Sequence, residues 1–519
     1  MSGTFNIEVF AVFVSLFILF VALGFWASRW RKGDMSDLGD WALAGRKIGS
    51  YLAWFLVGAD LYTAYTFIAI PESLYIKGAV YFFAVPYVGM TFGVALITMP
   101  RLWKLSRKHN YVTAVDMVKD KFNSRSLATI IALTGIVAEL PYIALQIYGM
   151  QAVLTVMIGQ LVTSNAATIT EVALVIAFII LAAFTFTSGL RGAVVTAVMK
   201  DIIIFATVIV VIVLVPMYIG GFGNAFTAMA TAKSHPVTGS YQLSGLFLNG
   251  FISLTIGSAL ALYLYPHAIN GVLSTNSTKK LRMSTALLPI YGVGLALLAL
   301  FGVLAYGATK ALPLIHTYGP VTTVPSLIYA YFPPWFVGFA FLGIFIGGLV
   351  PASIMAIAQA NLLTRNVLKP YFKNITPKLE ARLSKYFSIM FKFIALAFIF
   401  VVLPTYSLQL QLVGGIIILQ TLPSIFLALY SNKLNKWATG VGWLAGQITG
   451  LGLLIDANFI VSHGTSITTV FFKFSTPLGF FYAGMIGILV NLLVVFVGSM
   501  IAGAVRPRAV ASPGTSGRK

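Results

Sequence analysis

Residues 56–66 read LVGADLYTAYT and interrupt an otherwise apolar run with small and polar side chains. Residues 249–258 read NGFISLTIGS and interrupt a later apolar run in the same way. Helices broken at corresponding places in two halves of a chain are typical of secondary transporters with inverted repeats, whose binding site lies at the bilayer midplane. The sequence therefore predicts a transporter with broken second and seventh spans. The alternative is two glycine-containing helices that pack closely.

The composition places the chain in a membrane. Of its 519 residues, 59% are hydrophobic and 9% are charged, and the mean hydropathy is +0.93. Soluble globular proteins carry about 25% charged residues, so this chain has too few polar side chains to cover a soluble particle. We expect an all-α integral membrane protein with about thirteen transmembrane helices of roughly 20 residues, at 7–27, 48–70, 80–100, 127–158, 170–188, 193–219, 245–268, 285–309, 334–360, 388–404, 408–431, 437–455 and 477–501.

The charge distribution sets the expected orientation. Lys and Arg number 34 against 13 Asp and Glu, an excess that on a soluble protein would suggest nucleic-acid binding. Nearly all of these basic residues fall in alternate loops; the exceptions are Lys77, Lys233, Lys310 and Lys473 in the other loops and Lys200 and Lys392 within spans. Basic loops face the cytoplasm. We therefore expect a cytoplasmic-membrane protein with its N-terminus outside and its C-terminus inside, and no nucleic-acid partner.

The domain organisation follows from the same pattern. Residues 1–501 are expected to form one transmembrane domain, with inverted repeats at about 48–219 and 245–431. Residues 502–519 are rich in Gly, Pro, Ser and Arg, which predicts a disordered basic tail in the cytoplasm. The expected partners are the lipid bilayer and a small-molecule substrate, and no obligate protein partner is evident. The absence of cysteine excludes disulfides and thiolate metal sites, and we expect no cofactor.

Ionisable residues within spans are costly and therefore informative. The candidates for ion coupling are Asp60, Glu139, Lys200 and Asp201. One cation among acidic groups suits a proton relay or an ion-coupled carrier, and a buried structural ion pair is the alternative. Three further ionisable residues, Glu72, His267 and Lys392, lie near span ends, where they are expected to cap helices or to extend towards the membrane surface.

Five fragments resemble one family in order and spacing. They are GRKIG at 45–49, the segment around Asp60 with the Ile70-Pro71 pair that follows, YPH at 265–267, the Lys279-Lys280 pair with Arg282, and LQTLP at 419–423. With these fragments the chain resembles the sodium/solute symporter family over nearly its whole length. DLYTAYTF at 60–67 and VPASIMA at 350–356, with NLLTRN at 361–366, are most similar to its monocarboxylate permease branch. The resemblance implies a LeuT-type 5+5 fold, alternating access, and substrates such as lactate, pyruvate or acetate.

The sodium site implied by the resemblance is degenerate in this chain. The family uses backbone carbonyls of the broken second span, here at Gly58 and Leu61, and two adjacent hydroxyls on the ninth span. Those hydroxyl positions fall on Val350 and Pro351, and the position that precedes them falls on Gly347. Neither Val nor Pro offers a side-chain oxygen. By analogy with other hard cations, which bind oxygen ligands, the loss of two ligands is expected to weaken sodium binding.

Lys200 is expected to supply the missing positive charge. In the sixth span the Thr-Asp pair of the family is replaced by Thr196 and Ala197, and Lys200 lies one turn further on. Some proton-coupled carriers of the LeuT-type fold resemble this arrangement, which suggests H⁺ rather than Na⁺ as the coupling ion. Asp60 is the expected counter-charge, with Glu139 and Asp201 behind it. In the alternatives, Lys200 pairs within its own helix or extends to the cytoplasmic end, or sodium is still used.

The substrate contacts are expected near the two interrupted spans. Half-helix amide groups and hydroxyls bind carboxylates, and the candidates are Tyr62, Thr63, Thr66, Tyr142, Gln146, Thr255, Gly257 and Ser258. The alternative for the aromatic residues is bundle packing. For the whole chain, the alternatives are a sodium-coupled symporter for amino acids, pantothenate or sugars, and a channel or sensor. An enzyme is not expected, because no nucleophile–base or metal constellation is present.

Overall fold

A computed structural model describes residues 6–30, 33–159, 166–232, 242–401, 407–464, 466–474 and 477–505. The first half contains α1 (Ile7–Trp26), α2 (Leu38–Ala42), α3 (Ser50–Ala59), α4 (Ile70–Lys77), α5 (Ala84–His109), α6 (Ala114–Phe122), α7 (Arg125–Gly159), α8 (Ala166–Ser188), α9 (Leu190–Ile219) and α10 (Phe222–Thr231). The second half contains α11 (Gly245–Ala261), α12 (Pro266–Leu273), α13 (Thr278–Leu287), α14 (Pro289–Gly307), α15 (Leu312–Tyr318), α16 (Thr323–Tyr331), α17 (Pro334–Asn361), α18 (Pro377–Val401), α19 (Leu408–Leu419), α20 (Ala428–Tyr430), α21 (Lys436–Ile455) and α22 (Ala483–Val505).

The expected count of thirteen spans is not confirmed. Ten helices of the described chain are long and apolar enough to cross a membrane, and eleven are if α19 and the segment Pro423–Tyr430, bent by 46°, count as one span. The expected second span is divided into α3 and α4, and neither helix is long enough to cross a membrane on its own. The expected span at 388–404 overlaps α18 up to Val401, and its residues 402–404 lie outside the described residues.

Two expected boundaries near the C-terminus are wrong. Strands β1 (Phe471–Lys473) and β2 (Phe480–Tyr482) pair antiparallel, with Phe472 opposite Phe481. Because β2 takes up the first residues of the expected last span, α22 begins only at Ala483. The same helix continues to Val505, so residues 502–505 are helical rather than part of a disordered tail. Residues 506–519 of that tail lie outside the described residues.

The seventh span is not broken where we expected. Helix α11 runs without interruption from Gly245 to Ala261, because its hydroxyls bond within the helix: Ser253 donates to the Gly250 carbonyl at 3.2 Å and Thr255 to the Phe251 carbonyl at 2.7 Å. Such bonds satisfy the hydroxyls without breaking the backbone ladder. The chain turns later, at an extended Tyr265 followed by Pro266, which lacks an N–H and begins α12.

The second span is broken, and side chains satisfy its free amides. The Thr63 N–H donates to Thr66 Oγ1 and the Tyr65 N–H to Thr63 Oγ1, both at 3.0 Å. The Ala64 N–H donates to Gln146 Oε1 of α7 at 3.1 Å. A π-helical turn at Tyr65–Ala69 then leads into α4. Because lipid offers no hydrogen bonds, this break depends on the polar residues that follow Asp60.

The break lies against the centre of the bundle. We compare the most apolar 18-residue stretch of each spanning helix. All residues of this stretch are buried in α17 and 72% are buried in α7, whereas only 22% are buried in α1 and in α22. Helix α14 packs on the break through two close approaches. A Cβ at Gly294 would lie 1.4 Å from Tyr62 Oη, and a Cβ at Gly58 would lie 1.9 Å from the Tyr291 ring. These glycines allow the broken span and α14 to touch.

Replacing Gly294 by Ala should therefore destabilise the protein. Tyr62 is fully buried and its ring is surrounded by Phe67, Phe205 and Tyr291, so its hydroxyl has no room to move. Overpacking of this kind costs about 1–3 kcal/mol. We expect a lower melting temperature in detergent for Gly294→Ala, and partial recovery when Tyr62→Phe removes the hydroxyl.

Gly292→Ala, on the same helix, is the matched control. A Cβ there would meet Val88 at an ordinary 3.5 Å, so its melting temperature should match that of the wild type. If Gly294→Ala is as stable as Gly292→Ala, the close approach at Tyr62 does not hold the break in place.

Candidate functional site

The Lys200 ammonium lies at the break of the second span. It is fully buried in α9, and its Nζ donates to the carbonyl oxygens of Ala59 at 3.0 Å and Tyr62 at 2.6 Å. It also lies 2.9 Å from Asp201 Oδ1, with which it forms an ion pair. Two of the three N–H groups of the ammonium are thus donated to backbone oxygens, and the Asp201 carboxylate lies beside it. The structure thus places a cation on the carbonyls that the helix break leaves free.

The carbonyls at this position are not the two that we expected. The Gly58 carbonyl accepts the N–H groups of Leu61 and Tyr62 at 2.9 and 2.8 Å, so the turn itself uses it. The carbonyls that face Lys200, those of Ala59 and Tyr62, each lie one residue later in the chain.

The expected ninth-span positions lie on α17 close to this group. A Cβ at Gly347 would lie 3.9 Å from the Tyr62 carbonyl oxygen. Val350 and Pro351 are buried one turn further along α17, and neither side chain carries an oxygen. The side of the break that α17 covers therefore adds no side-chain ligand at those two positions.

The expected pairing of Lys200 with Asp60 is also wrong. Asp201 takes that place, since the Tyr291 hydroxyl donates to Asp201 Oδ2 at 2.6 Å and fixes the carboxylate beside the ammonium. Asp60 is 3% exposed, and within the described part of the chain neither of its carboxylate oxygens accepts a hydrogen bond. A buried ionised carboxylate without a partner is costly, so Asp60 is a place where a proton or a cation would be stabilising.

Glu139 and His267 form a second buried pair. Glu139 Oε1 accepts the backbone N–H of His267 at 2.9 Å and lies 2.7 Å from its Nδ1. Both side chains are fully buried, so His267 does not extend to the surface as we expected. Glu139 connects α7 to the first turn of α12, where a carboxylate also interacts favourably with the helix dipole.

The other two residues that we expected at span ends are buried as well. The carboxylate of Glu72 in α4 accepts the Ser407 N–H at 3.2 Å and is also bonded by the Ser407 hydroxyl, so it connects α4 to the start of α19. Lys392 is fully buried in α18 and donates to Ser388 of its own helix at 2.9 Å. Glu72 thus caps a helix, whereas Lys392 does not extend to the surface.

The substrate candidates of the second and fourth spans come together. Thr63, Thr66 and Gln146 hold the break by the bonds described above. The ring of Tyr142 lies 5.5 Å from the imidazole of His267 and 5.3 Å from the ring of Tyr265. Since the amides of residues 63–65 are already bonded to side chains, they are not free to bind a carboxylate in this structure.

The seventh-span candidates are placed differently. The Thr255 hydroxyl is used within α11, and a Cβ at Gly257 would lie 2.8 Å from the Tyr482 ring, so Gly257 serves packing. Ser258 is buried on the same helix. Across the described ranges, no group of three or more His, Asp or Glu residues is placed to hold a metal ion.

Comparison with known proteins identifies the family. A sequence model of the sodium:solute symporter family matches residues 41–450. The chain belongs to this family. It is 38% identical over 514 residues to a protein of Rhizobium johnstonii named monocarboxylate transport permease protein, a match that covers 98% of this chain and 99% of the relative. It is 24% identical to the sodium/pantothenate symporter of Escherichia coli, over 72% of this chain and 74% of the relative.

A solved structure confirms the fold of this sodium:solute symporter. A Na⁺-coupled sialic acid symporter in a substrate-bound outward-open state aligns with a TM-score of 0.72 at 15% sequence identity, over 95% of this chain and 98% of that chain. The expected LeuT-type, all-helical fold is therefore confirmed. The protein is a multi-pass membrane protein, and its family and relatives are transporters.

Sequence reasoning missed two residues near the break. Gln409 of α19 is 1% exposed, yet neither atom of its amide is hydrogen-bonded in the described structure, and the Tyr65 hydroxyl is likewise unpaired. Buried polar groups are normally satisfied, so these groups are candidates for contact with a bound ligand. The sequence does carry a signal, since Gln409 and Gln411 stand alone in an apolar run at 408–419.

A cluster of charged and polar side chains connects α6, α18 and the segment after α17 at one end of the bundle. Arg365, which follows α17, contacts Asp116 of α6 through Nε at 2.9 Å and Glu380 of α18 through a terminal nitrogen at 3.1 Å. Asn366 also donates to Asp116 at 2.9 Å, and Lys369 pairs with Glu380. This Arg365 cluster therefore joins three elements.

A small cavity lies between the Arg365 cluster and α12. Its walls include Thr113, which bonds Asn366, and Pro266, which precedes His267. The space open to the centre of a water molecule is about 20 Å³, enough for roughly one water. Ile425 also lines this cavity, and opening it further would require the Arg365 cluster to separate.

Arg365→Gln should open this end of the bundle. The chain has no cysteine, so an Ile425→Cys variant carries a single thiol in the cavity wall. Loss of two part-buried ion pairs, each contributing on the order of 1 kcal/mol, should raise the labelling rate of that thiol by a polar reagent about tenfold. Lys373→Gln, an exposed charge nearby, is the control and should leave the rate unchanged. Equal labelling in all backgrounds would show that the cluster does not restrict access.

Proposed function

We propose that this protein is a secondary active transporter that moves a small monocarboxylate, of the lactate, pyruvate or acetate type, across the cytoplasmic membrane. We propose proton coupling, with the N-terminus outside and the C-terminus in the cytoplasm. The substrate class is supported by the 38% identity, over almost the whole length, to a relative named monocarboxylate transport permease protein. The proposed coupling ion rests on one observation, the position of the Lys200 ammonium.

The geometry around Lys200 favours a proton over a sodium ion. The ammonium contacts two carbonyl oxygens of the broken span, and a hard cation at the same place would need those oxygens as ligands. Val350 and Pro351 offer no replacement. A buried lysine can act as a proton carrier, so the positive charge at the break would arrive and leave as a proton. Alternating access of the repeats at about 48–219 and 245–431 would expose that proton to each side in turn.

The surroundings of the break suit a short carboxylate. Aromatic rings predominate there, and the polar groups not already paired are few, among them Tyr65 and Gln409. Sites lined by apolar walls with a few polar groups bind small ligands of limited polarity. We propose that Tyr62, Thr63, Thr66, Tyr142 and Gln146 shape this site, with Thr255, Gly257 and Ser258 on the wall formed by α11.

A sodium-coupled symporter for amino acids, pantothenate or sugars is the second candidate. Asp60 favours it, since its two carboxylate oxygens are buried and unpaired, and such oxygens are ligands for hard cations. The family membership and the Escherichia coli relative named sodium/pantothenate symporter agree with this reading.

Uptake of labelled pyruvate into proteoliposomes separates the two candidates. We expect accumulation under an imposed proton gradient without sodium, and none under a sodium gradient at equal pH. Lys200→Gln should lower the accumulation driven by the proton gradient about tenfold per pH unit, because glutamine carries no exchangeable proton, while exchange of pyruvate across the membrane at equal pH should continue.

Lys392→Gln is the matched control, since Lys392 is another fully buried lysine and, within the described residues, bonds Ser388 of its own helix. It should leave proton-driven accumulation intact. Uptake that requires sodium in the wild type, or proton-driven accumulation in Lys200→Gln equal to that of the wild type, would contradict the proposed coupling.

A further inference from the structure

The Glu139–His267 pair is a second buried site for a proton, apart from Lys200. With Glu139 ionised, its Oε1 only accepts hydrogen bonds, so the 2.7 Å contact with His267 Nδ1 is then a bond donated by the Nδ1–H group. The other ring nitrogen, Nε2, is then left as the basic position of the imidazole. Nε2 is buried and has no hydrogen-bond partner in the described structure, and neither has Glu139 Oε2.

The charges buried around the break are unbalanced without further protons. Lys200 and Asp201 neutralise each other as an ion pair. Asp60 and Glu139 would then leave two uncompensated negative charges in an apolar interior, if His267 is neutral, and such charges are costly. A proton on Nε2 turns His267 into an imidazolium paired with Glu139. That proton leaves Asp60 as the only member of the group without a counter-charge.

Few other ionisable groups face this pair. Asp60 from the second span is the charged group that acts on His267. The rings of Tyr142 and Tyr265 lie 5.5 Å from the imidazole, and Tyr87 of α5 and Tyr482 of β2 lie beyond Tyr265.

The remaining helices around the pair contribute little charge. Helix α17 packs against both α7 and α12 and has no ionisable residue, and α19, which packs against α7, has none either. On α18, which also packs against α7, the buried Lys392 bonds Ser388. Among the described residues, Asp60 is therefore the charged group that acts on His267.

The pair also lies beside a route to one end of the bundle. Pro266, the residue before His267, lines the water-sized cavity, and so does Thr113, which bonds Asn366 of the Arg365 cluster. Separation of that cluster would connect the start of α12 with the aqueous phase. A proton on His267 would thereby gain an exit that does not pass through the site of Lys200.

We propose that His267, held by Glu139, is a second proton-binding site, and that two protons accompany each monocarboxylate anion, one on Lys200 and one on His267. The inference rests on the proposed function. Two protons and one anion carry one net positive charge, so transport would be electrogenic. A carrier that uses Lys200 alone would move one proton with one anion and would be electroneutral.

The test measures pyruvate uptake into sodium-free proteoliposomes under two separate driving forces, a proton gradient of one pH unit at zero potential and an inside-negative potential at equal pH. For the wild type, two protons predict an accumulation of about 100-fold per pH unit. They also predict about tenfold accumulation for 59 mV, the value for one net charge.

His267→Gln keeps an N–H donor for Glu139 but cannot take up a proton. It should lose the response to potential and fall to about tenfold accumulation per pH unit. Glu139→Gln, which removes the counter-charge of the imidazolium, should give the same result as His267→Gln. It provides the test if His267→Gln fails to fold. His316→Gln, at an exposed histidine of α15, is the matched control and should keep both wild-type responses.

Three outcomes distinguish the claims. Wild-type uptake that responds to the proton gradient but not to potential would overturn the second site and leave the proposed function intact. A response to potential that survives in both His267→Gln and Glu139→Gln would also overturn the second site. It would show that the Glu139–His267 pair only holds α12 against α7. Absence of any response to the proton gradient in the wild type would overturn the proposed function itself.

Discussion

The contact between the Lys200 ammonium and the broken second span is the interaction on which the rest of the site depends. A helix that stops at mid-membrane depth leaves carbonyls without donors, and lipid supplies none. Lys200 supplies donors to the carbonyls of Ala59 and Tyr62. Removing an ion from water costs several kcal/mol. The ion pair with Asp201 and hydrogen bonds to charged groups, each contributing about 1.5–3 kcal/mol, offset that cost.

Tyr291 connects this charge pair to the packing of the bundle. Its hydroxyl fixes Asp201, while its ring fills the space that the absent side chain of Gly58 leaves open. The end of α3, the charge pair on α9 and the α14 surface are thereby coupled. Movement of the broken span during transport would have to disturb the bond from Tyr291 or the contacts of the ammonium, so the charge at the break and the conformation of the bundle are linked.

The sequence predicts much of this arrangement for clear physical reasons. Polar and glycine residues at 56–66 favour a break in an apolar helix, and a lysine at position 200 within a span needs a partner. The sequence does not rank the partners of Lys200 correctly, since it favours Asp60 and places Asp201 behind it. Residues adjacent on a helix do not normally face each other, and only the structure shows the Asp201 carboxylate, bonded by Tyr291, beside the ammonium.

In the seventh span the sequence predicts a break that the structure does not contain. Its polar residues resemble those of the second span, but Ser253 and Thr255 bond to carbonyls of their own helix and leave it whole. Whether a hydroxyl breaks a helix or bonds back to it depends on neighbours distant in the chain. The second span breaks where Gln146 from α7 and Lys200 from α9 meet its free backbone groups, whereas in α11 the carbonyl of Ala259 accepts a bond from Thr91 of α5 and the helix stays whole.

Binding of radioactive sodium to the purified protein tests the central claim most directly, because it asks whether the ammonium already fills the place of the ion. We predict no saturable sodium binding to the wild type, and its appearance only where Lys200→Ala frees the carbonyls of the break. Saturable sodium binding to the wild type, unchanged in Lys200→Ala, would contradict the account and place the coupling ion elsewhere.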